Sequence, residues 1–147
     1  MLKRKSKRTW KDRREKRIEE ENKVVIEWAN YQNPKRNNAI YAFTQDLSIG
    51  GAKILTDINF PVDTIFIITL TLSRSRQIIT LAARVKWVKP VYDGDLYEVG
   101  LEFIHELPQT IAGLFKHLFG KDLRPSLAEK LLEVESKTDF PVQKTLM

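Results

Sequence analysis

Two groups of residues in this chain have the types and spacing to hold a charged ligand. Arg13 and Arg17 form an R-x-x-x-R spacing inside the run from Lys11 to Ile18. Each guanidinium is a planar, permanently charged fork that matches a phosphate or the acceptor edge of guanine. Further on, Asp46, Ser48 and Gly51 make D-x-S-x-x-G, with Gly50 doubling the glycine. The Asp46 carboxylate can accept from the N–H edge of a guanine or close an Asx turn. Ser48 carries a hydroxyl short enough to meet a phosphate oxygen or a base atom. Gly51 supplies either a positive φ or a close backbone approach. Spacing alone does not single out the first group, because Arg4 and Arg8 repeat it in the same tail. Taken together, the two groups are equipment for an anionic guanine nucleotide.

Charge sets the first group apart from the rest of the chain. Of 147 residues with a formal charge of +6, residues 1–17 hold ten Lys or Arg against Asp12 and Glu15, which leaves residues 18–147 at a net −2. An anionic partner is therefore expected at this leader. After Met1 its only apolar residues are Leu2 and Trp10, so it reads as a flexible basic arm. The chain has no cysteine, which excludes disulfides, thiolate metal sites and cysteine nucleophiles and fits a cytoplasmic setting. No apolar run is long enough to span a bilayer, and no apolar region follows the basic start, so neither membrane insertion nor a secretory signal is expected. His105 and His117 lack a metal-ligand spacing and are expected at the surface or the core edge. No P-loop, nucleophile elbow, Ser-His-Asp set or dinucleotide fingerprint occurs, so no enzymatic activity, cofactor or metal is expected.

The elements that must position these groups are mostly strands. Val24 to Trp28 reads as a first strand, followed by a turn-rich stretch around Pro34. Ala39 to Thr44 reads as a second strand running into the D-x-S-x-x-G turn, and Ala52 to Leu55 as a third. Thr64 to Ser73 is rich in Ile, Leu and Thr. Gln77 to Val88 and Leu96 to Ile104 read as a hairpin joined by Pro90 to Asp95. Short strands at this spacing argue for a small antiparallel barrel. The period then becomes helical: Pro108 opens a stripe of Ile111, Leu114, Phe115, Leu118 and Phe119 that Gly120 ends. Ser126 and Glu129 form a capping-box pattern for a second helix from Leu127 to about Glu135.

The order of these features, with Val85-Lys86-Trp87 and Val99-Gly100-Leu101-Glu102-Phe103 in the later strands, resembles the PilZ domain over roughly Lys11 to Glu106. The resemblance implies a mainly β fold, a six- or seven-stranded antiparallel barrel with one or two C-terminal helices. It implies a bacterial receptor for the second messenger cyclic di-GMP, held by Arg13, Arg14, Arg17, Asp46, Ser48, Gly50, Gly51, Trp87 and Gly100. Trp87 either packs in the core or borders the ligand and stacks on a base, and Gly100 permits either a bulge or close strand packing. Many relatives carry a further basic residue directly before the first arginine, a device suited to a stacked pair of ligands. Asp12 stands there in this chain and counts against a second dinucleotide, whereas Arg14 could compensate.

The expected organisation is an arm over 1–17, a barrel with a covering helix over 18–120, and a C-terminal helix and tail over 121–147. Ligand binding is expected to order the arm and present a new surface to a downstream protein. The rival reading is a nucleic-acid-binding barrel that uses the same arm, which gives no reason for Asp46. Docking on anionic lipid ranks last, because the arm has no apolar face.

Overall fold

The computed structural model describes residues 16–29 and 37–139. Six strands, β1 (Lys23–Ala29), β2 (Asn37–Leu47), β3 (Gly51–Thr56), β4 (Ile65–Leu72), β5 (Gln77–Val91) and β6 (Leu96–Ile104), precede two helices, α1 (Pro108–Phe119) and α2 (Pro125–Asp139). All strand pairs are antiparallel, and they close a barrel in the order β1-β2-β3-β6-β5-β4. Closure leaves no unpaired sheet edge.

The barrel interior follows from the period of two. On β4, Phe66, Ile68, Leu70 and Leu72 are buried while Ile65, Ile67, Thr69 and Thr71 point outward. Val24, Ile26, Ile54, Leu81, Val85, Val99 and Phe103 complete the same core. Phe60, from the connection after β3, meets Trp28 and Phe66 edge-on at centroid distances of 5.1 and 5.0 Å. Helix α1 adds Ile111, Leu114 and Leu118 to that core. Pro108 sits in its first turn, and Gly120 ends it at φ 70°, donating its N–H to the Lys116 carbonyl.

The structure corrects several boundaries. Strand β2 continues past Thr44 to Leu47, so Asp46 stands on the strand and not beyond it. Pro90 lies within β5 opposite Tyr97, and the connection shrinks to a 3-10 turn over Tyr92–Gly94. Helix α2 begins at Pro125, where the Arg124 carbonyl accepts from the N–H groups of Leu127 and Ala128. Ser126 therefore lies inside the first turn, and the Ser126/Glu129 pair is not a capping box. No seventh strand is found among the described residues. His105 and His117, expected at the surface or core edge, are both buried.

Two β-bulges break the alternation. One lies between Thr44 and Asp46 on β2 and the other between Val85 and Trp87 on β5. In each, the extra residue (Gln45 or Lys86) shifts the parity of everything after it. Ala42 and Thr44 face inward, and unbroken alternation would send Asp46 inward as well. Past Gln45 it is Leu47 that is buried instead. Likewise Ala83 and Val85 are buried, but Trp87 emerges 43% exposed and Val88 turns to the core. Both bulges thus aim a side chain out of the barrel.

Candidate functional site

The segment leading into β1 lies against the last residues of β2. Ile18 and Leu47 exchange both backbone hydrogen bonds at 2.9 Å, and Thr44 donates its N–H to the Asn22 carbonyl at 2.8 Å. This pairing brings Arg17 beside the bulge-turned Asp46. Arg17 Nη1 donates to Asp46 Oδ1 at 2.6 Å, and Nη2 donates to Ser48 Oγ at 3.2 Å. Arg17 therefore meets the D-x-S-x-x-G turn in a half-exposed, charge-assisted contact.

The D-x-S-x-x-G turn is held from within and from behind. Asp46 Oδ1 also accepts from the Lys53 N–H at 2.9 Å. Ser48 is buried, its Oγ donating to the Gly51 carbonyl and accepting from the Gly51 N–H, each at 3.1 Å. Its hydroxyl closes the turn beneath Arg17 and does not face outward. His105 Nε2 donates to the Ile49 carbonyl at 2.7 Å, while Nδ1 pairs with the Thr110 hydroxyl at 2.7 Å. The Phe103 N–H donates to the Gly50 carbonyl at 2.8 Å. The start of α1 and the end of β6 thereby fix a turn that lies far from them in sequence.

Gly51 has no positive φ. Its requirement is space: a Cβ there would lie 2.1 Å from the Leu101 carbonyl oxygen on β6. The close approach is to the neighbouring strand. Gly100 answers to Trp87, since a Cβ at Gly100 would fall 2.2 Å from the indole Nε1. The indole lies flat over Gly100 because the bulge at Lys86 turns it there and nothing on β6 stands in its way. Gly100→Ala is expected to lift the indole and shift tryptophan emission while leaving the thermal midpoint nearly unchanged. Steady-state fluorescence and a melt of the same sample check both halves.

Arg17, Asp46, Gly50, Gly51, Trp87 and Gly100 all line one open cavity of about 660 Å³. Lys53, Lys86, Lys89, Glu98 and Glu102 bring further charge to its walls, and none of these five was taken as a site residue from sequence. Lys86 and Arg84 lie 3.7 and 3.9 Å from Glu102. The signal that could have found the lysines is position: all three lie on the strands that carry Gly51 and Trp87. Arg13 and Arg14 lie outside the described residues. Among the described residues no group of three or more His, Asp or Glu could hold a metal, and no helix is long and apolar enough to cross a membrane. Four cations against three carboxylates, beside an exposed aromatic face, suit an anion that also carries an aromatic base.

A partly buried polar network roots the Arg17 segment to α1. The Glu20 carboxylate accepts from Arg74 Nε at 2.7 Å, Asn22 Nδ2 at 2.9 Å and His117 Nε2 at 2.5 Å. The Ser75 hydroxyl accepts from Gln77 Nε2 and meets His117 Nδ1 at 2.6 Å. Lys16 adds a cation–π contact, its Nζ 4.7 Å from the centre of the Phe119 ring. Burial works against the charge on Glu20, but the bonds from Arg74, Asn22 and His117 prevail and hold its pKa at about 2.

A family model described as the PilZ domain matches residues 11–120. None of the curated proteins searched matches the chain. Among solved structures, the Bacillus subtilis inhibitor of motility MotI/DgrA is similar at 13% identity and a TM-score of 0.57, over 71% of this chain and 48% of that one. Escherichia coli YcgR in complex with c-di-GMP is similar at 16% identity and a TM-score of 0.56, over 82% of this chain and 48% of that one. The PilZ domain of E. coli YcgR with c-di-GMP is similar at 13% identity and a TM-score of 0.53, over 83% of this chain and 95% of that one. The chain thus spans about half the length of the first two and nearly all of the isolated domain. At these identities the likeness speaks to the fold.

Proposed function

This chain belongs to the PilZ domain family, and from that membership we propose that it is a receptor for cyclic di-GMP that signals without performing chemistry on it. The observation that carries the reading is the direct contact of Arg17 with Asp46 and Ser48 at the mouth of the cavity. It joins two motifs that sequence alone could only place side by side.

In this reading the ligand enters between residues 1–17, acting as the arm, and the Asp46–Gly51 turn on the 18–120 barrel unit. Its two phosphates neutralise Arg13 and Arg17, with Arg14 as a further cation at the same mouth. Asp46 either receives the guanine N–H edge or keeps Arg17 aimed at the phosphate. Trp87, seated over Gly100, offers its face to a base, while Gly50 and Gly51 form the turn that the ligand meets. Ser48 contributes through the turn that it closes. Neutralisation draws the arm across the barrel, and the newly presented surface engages a downstream protein in the cytoplasm. The helix and tail over 121–147 remain available to that partner.

Titration with cyclic di-GMP, GTP and a short oligonucleotide at two salt concentrations tests the proposal. The dinucleotide should bind in preference to both others with a shallow salt dependence, since two phosphates release few counterions. Preferential binding of the oligonucleotide, falling steeply with salt, would reject it in favour of polynucleotide recognition.

A further inference from the structure

The three carboxylates of the cavity, Asp46, Glu98 and Glu102, stand in different company. Asp46 Oδ1 takes both Arg17 Nη1 and the Lys53 N–H. Glu102 has Lys86 at 3.7 Å and Arg84 at 3.9 Å. Glu98 is half-buried, and among the described residues it has no hydrogen-bond or ion-pair partner, not even its cross-strand neighbour Lys89. A negative charge left bare in this way opposes an anionic ligand unless the ligand brings donors to meet it.

Position shows which donors those are. Glu98, Gly100 and Glu102 alternate on β6 with Val99, Leu101 and Phe103, whose side chains fill the core. The register sets Trp87 opposite Gly100 and Lys89 opposite Glu98. The indole over Gly100 therefore has Glu98 on one side and Glu102 on the other, each about 6.8 Å along the strand. A base stacked on the indole lies parallel to it and turns its edges toward these two positions. Half the width of a purine and one hydrogen bond of about 2.9 Å fill a gap of that size. On one side the Glu102 carboxylate already answers two cations, whereas on the other the Glu98 carboxylate is free to accept.

The geometry points to Glu98 as the residue that selects guanine, its two oxygens accepting from the N1–H and N2–H₂ groups of a base stacked on Trp87. This role rests on the receptor reading and deepens it, because Asp46 then serves to keep Arg17 aimed at a phosphate. Guanine offers two adjacent donors on that edge, matching the two acceptors of a carboxylate. Adenine offers one donor beside the lone pair of its N1, which a carboxylate repels. A glutamine at this position reverses the match, since its amide pairs one donor with one acceptor.

Calorimetric titration of the whole chain with cyclic di-GMP and with cyclic di-AMP, wild type beside Glu98→Gln, reads the ratio of the two affinities. The wild type should favour cyclic di-GMP, and the substitution should cut the ratio by about 5- to 150-fold, the span of one two-pronged contact to a base edge. A ratio is the right readout because relief of charge near the phosphates, or loss of a ribose contact, moves both affinities together. The position is partly exposed on a strand, and an unchanged thermal midpoint confirms that Glu98→Gln folds. If the wild type binds cyclic di-GMP and Glu98→Gln leaves the ratio unchanged, the proposal is overturned while the receptor reading stands. A ratio that collapses in Asp46→Asn and holds in Glu98→Gln would have the same consequence. A wild type with no affinity for cyclic di-GMP would overturn both.

Discussion

Arg17→Ala is expected to weaken cyclic di-GMP binding by about 2 to 5 kcal/mol, roughly 30-fold to several-thousand-fold in dissociation constant. The guanidinium is already aimed: Asp46 Oδ1 holds one nitrogen at 2.6 Å and Ser48 Oγ the other at 3.2 Å. A side chain ordered before the ligand arrives loses less freedom on binding, so more of its phosphate interaction appears as affinity. Alanine removes the fork and leaves the Asp46 carboxylate facing an anionic ligand with only the Lys53 N–H for compensation. Arg17→Lys restores the charge but not the two-pronged geometry and should recover part of the loss. Isothermal calorimetry on the three proteins checks the series. Equal affinity of the wild type and Arg17→Ala would remove this residue from the site.

His117→Ala should lower the stability of the fold by about 2 to 4 kcal/mol, because it empties a fully buried position and strands its polar partners. For a chain of this length that is a fall of about 4 to 16 °C in melting temperature. Glu20 would keep Arg74 and Asn22, and the Ser75 hydroxyl would keep only Gln77. Because Glu20 lies three residues from Arg17, the same substitution frees the root of the segment that positions the proposed ligand contact. Differential scanning calorimetry gives the first effect.

The same network carries a pH signature. The Glu20 pKa falls on folding from the ordinary 4.5 to about 2. A lowered carboxylate stabilises the native state fully above about pH 4.5, and that contribution disappears as pH falls toward 2. Glu20→Gln should therefore flatten the loss of stability between these two values while costing stability near neutrality. Urea denaturation at pH 6, 4 and 3 distinguishes the two profiles.

The fold class and the meeting of Arg17 with Asp46 were legible because each rests on local signals: alternation in β4, the Pro108–Gly120 frame of α1, and the residue types at Arg17 and Asp46. The direction in which Asp46 and Trp87 point was not read, because strict alternation from Ala42 or Ala83 sends both inward. The clue was present in the apolar spacing, which lengthens from two to three between Val85 and Val88 and between Thr44 and Leu47 at the two bulges. Ser48 was read as a ligand hydroxyl, yet residue type cannot tell an outward group from one spent on its own turn. The Glu20–His117 bond spans 97 positions. No spacing rule reaches that far, and His117 declares itself only by sharing the inward phase of Ile111 and Leu114.

The most direct test of the central claim is a titration of ¹⁵N-labelled protein with cyclic di-GMP, followed by heteronuclear NMR. The account predicts that the largest shifts fall on the Arg17 side chain, the Gly50, Gly51 and Gly100 amides and the Trp87 indole, while Val25 and Ile67 on the opposite face stay in place. Shifts confined to that opposite face, or none at saturating ligand, would contradict it.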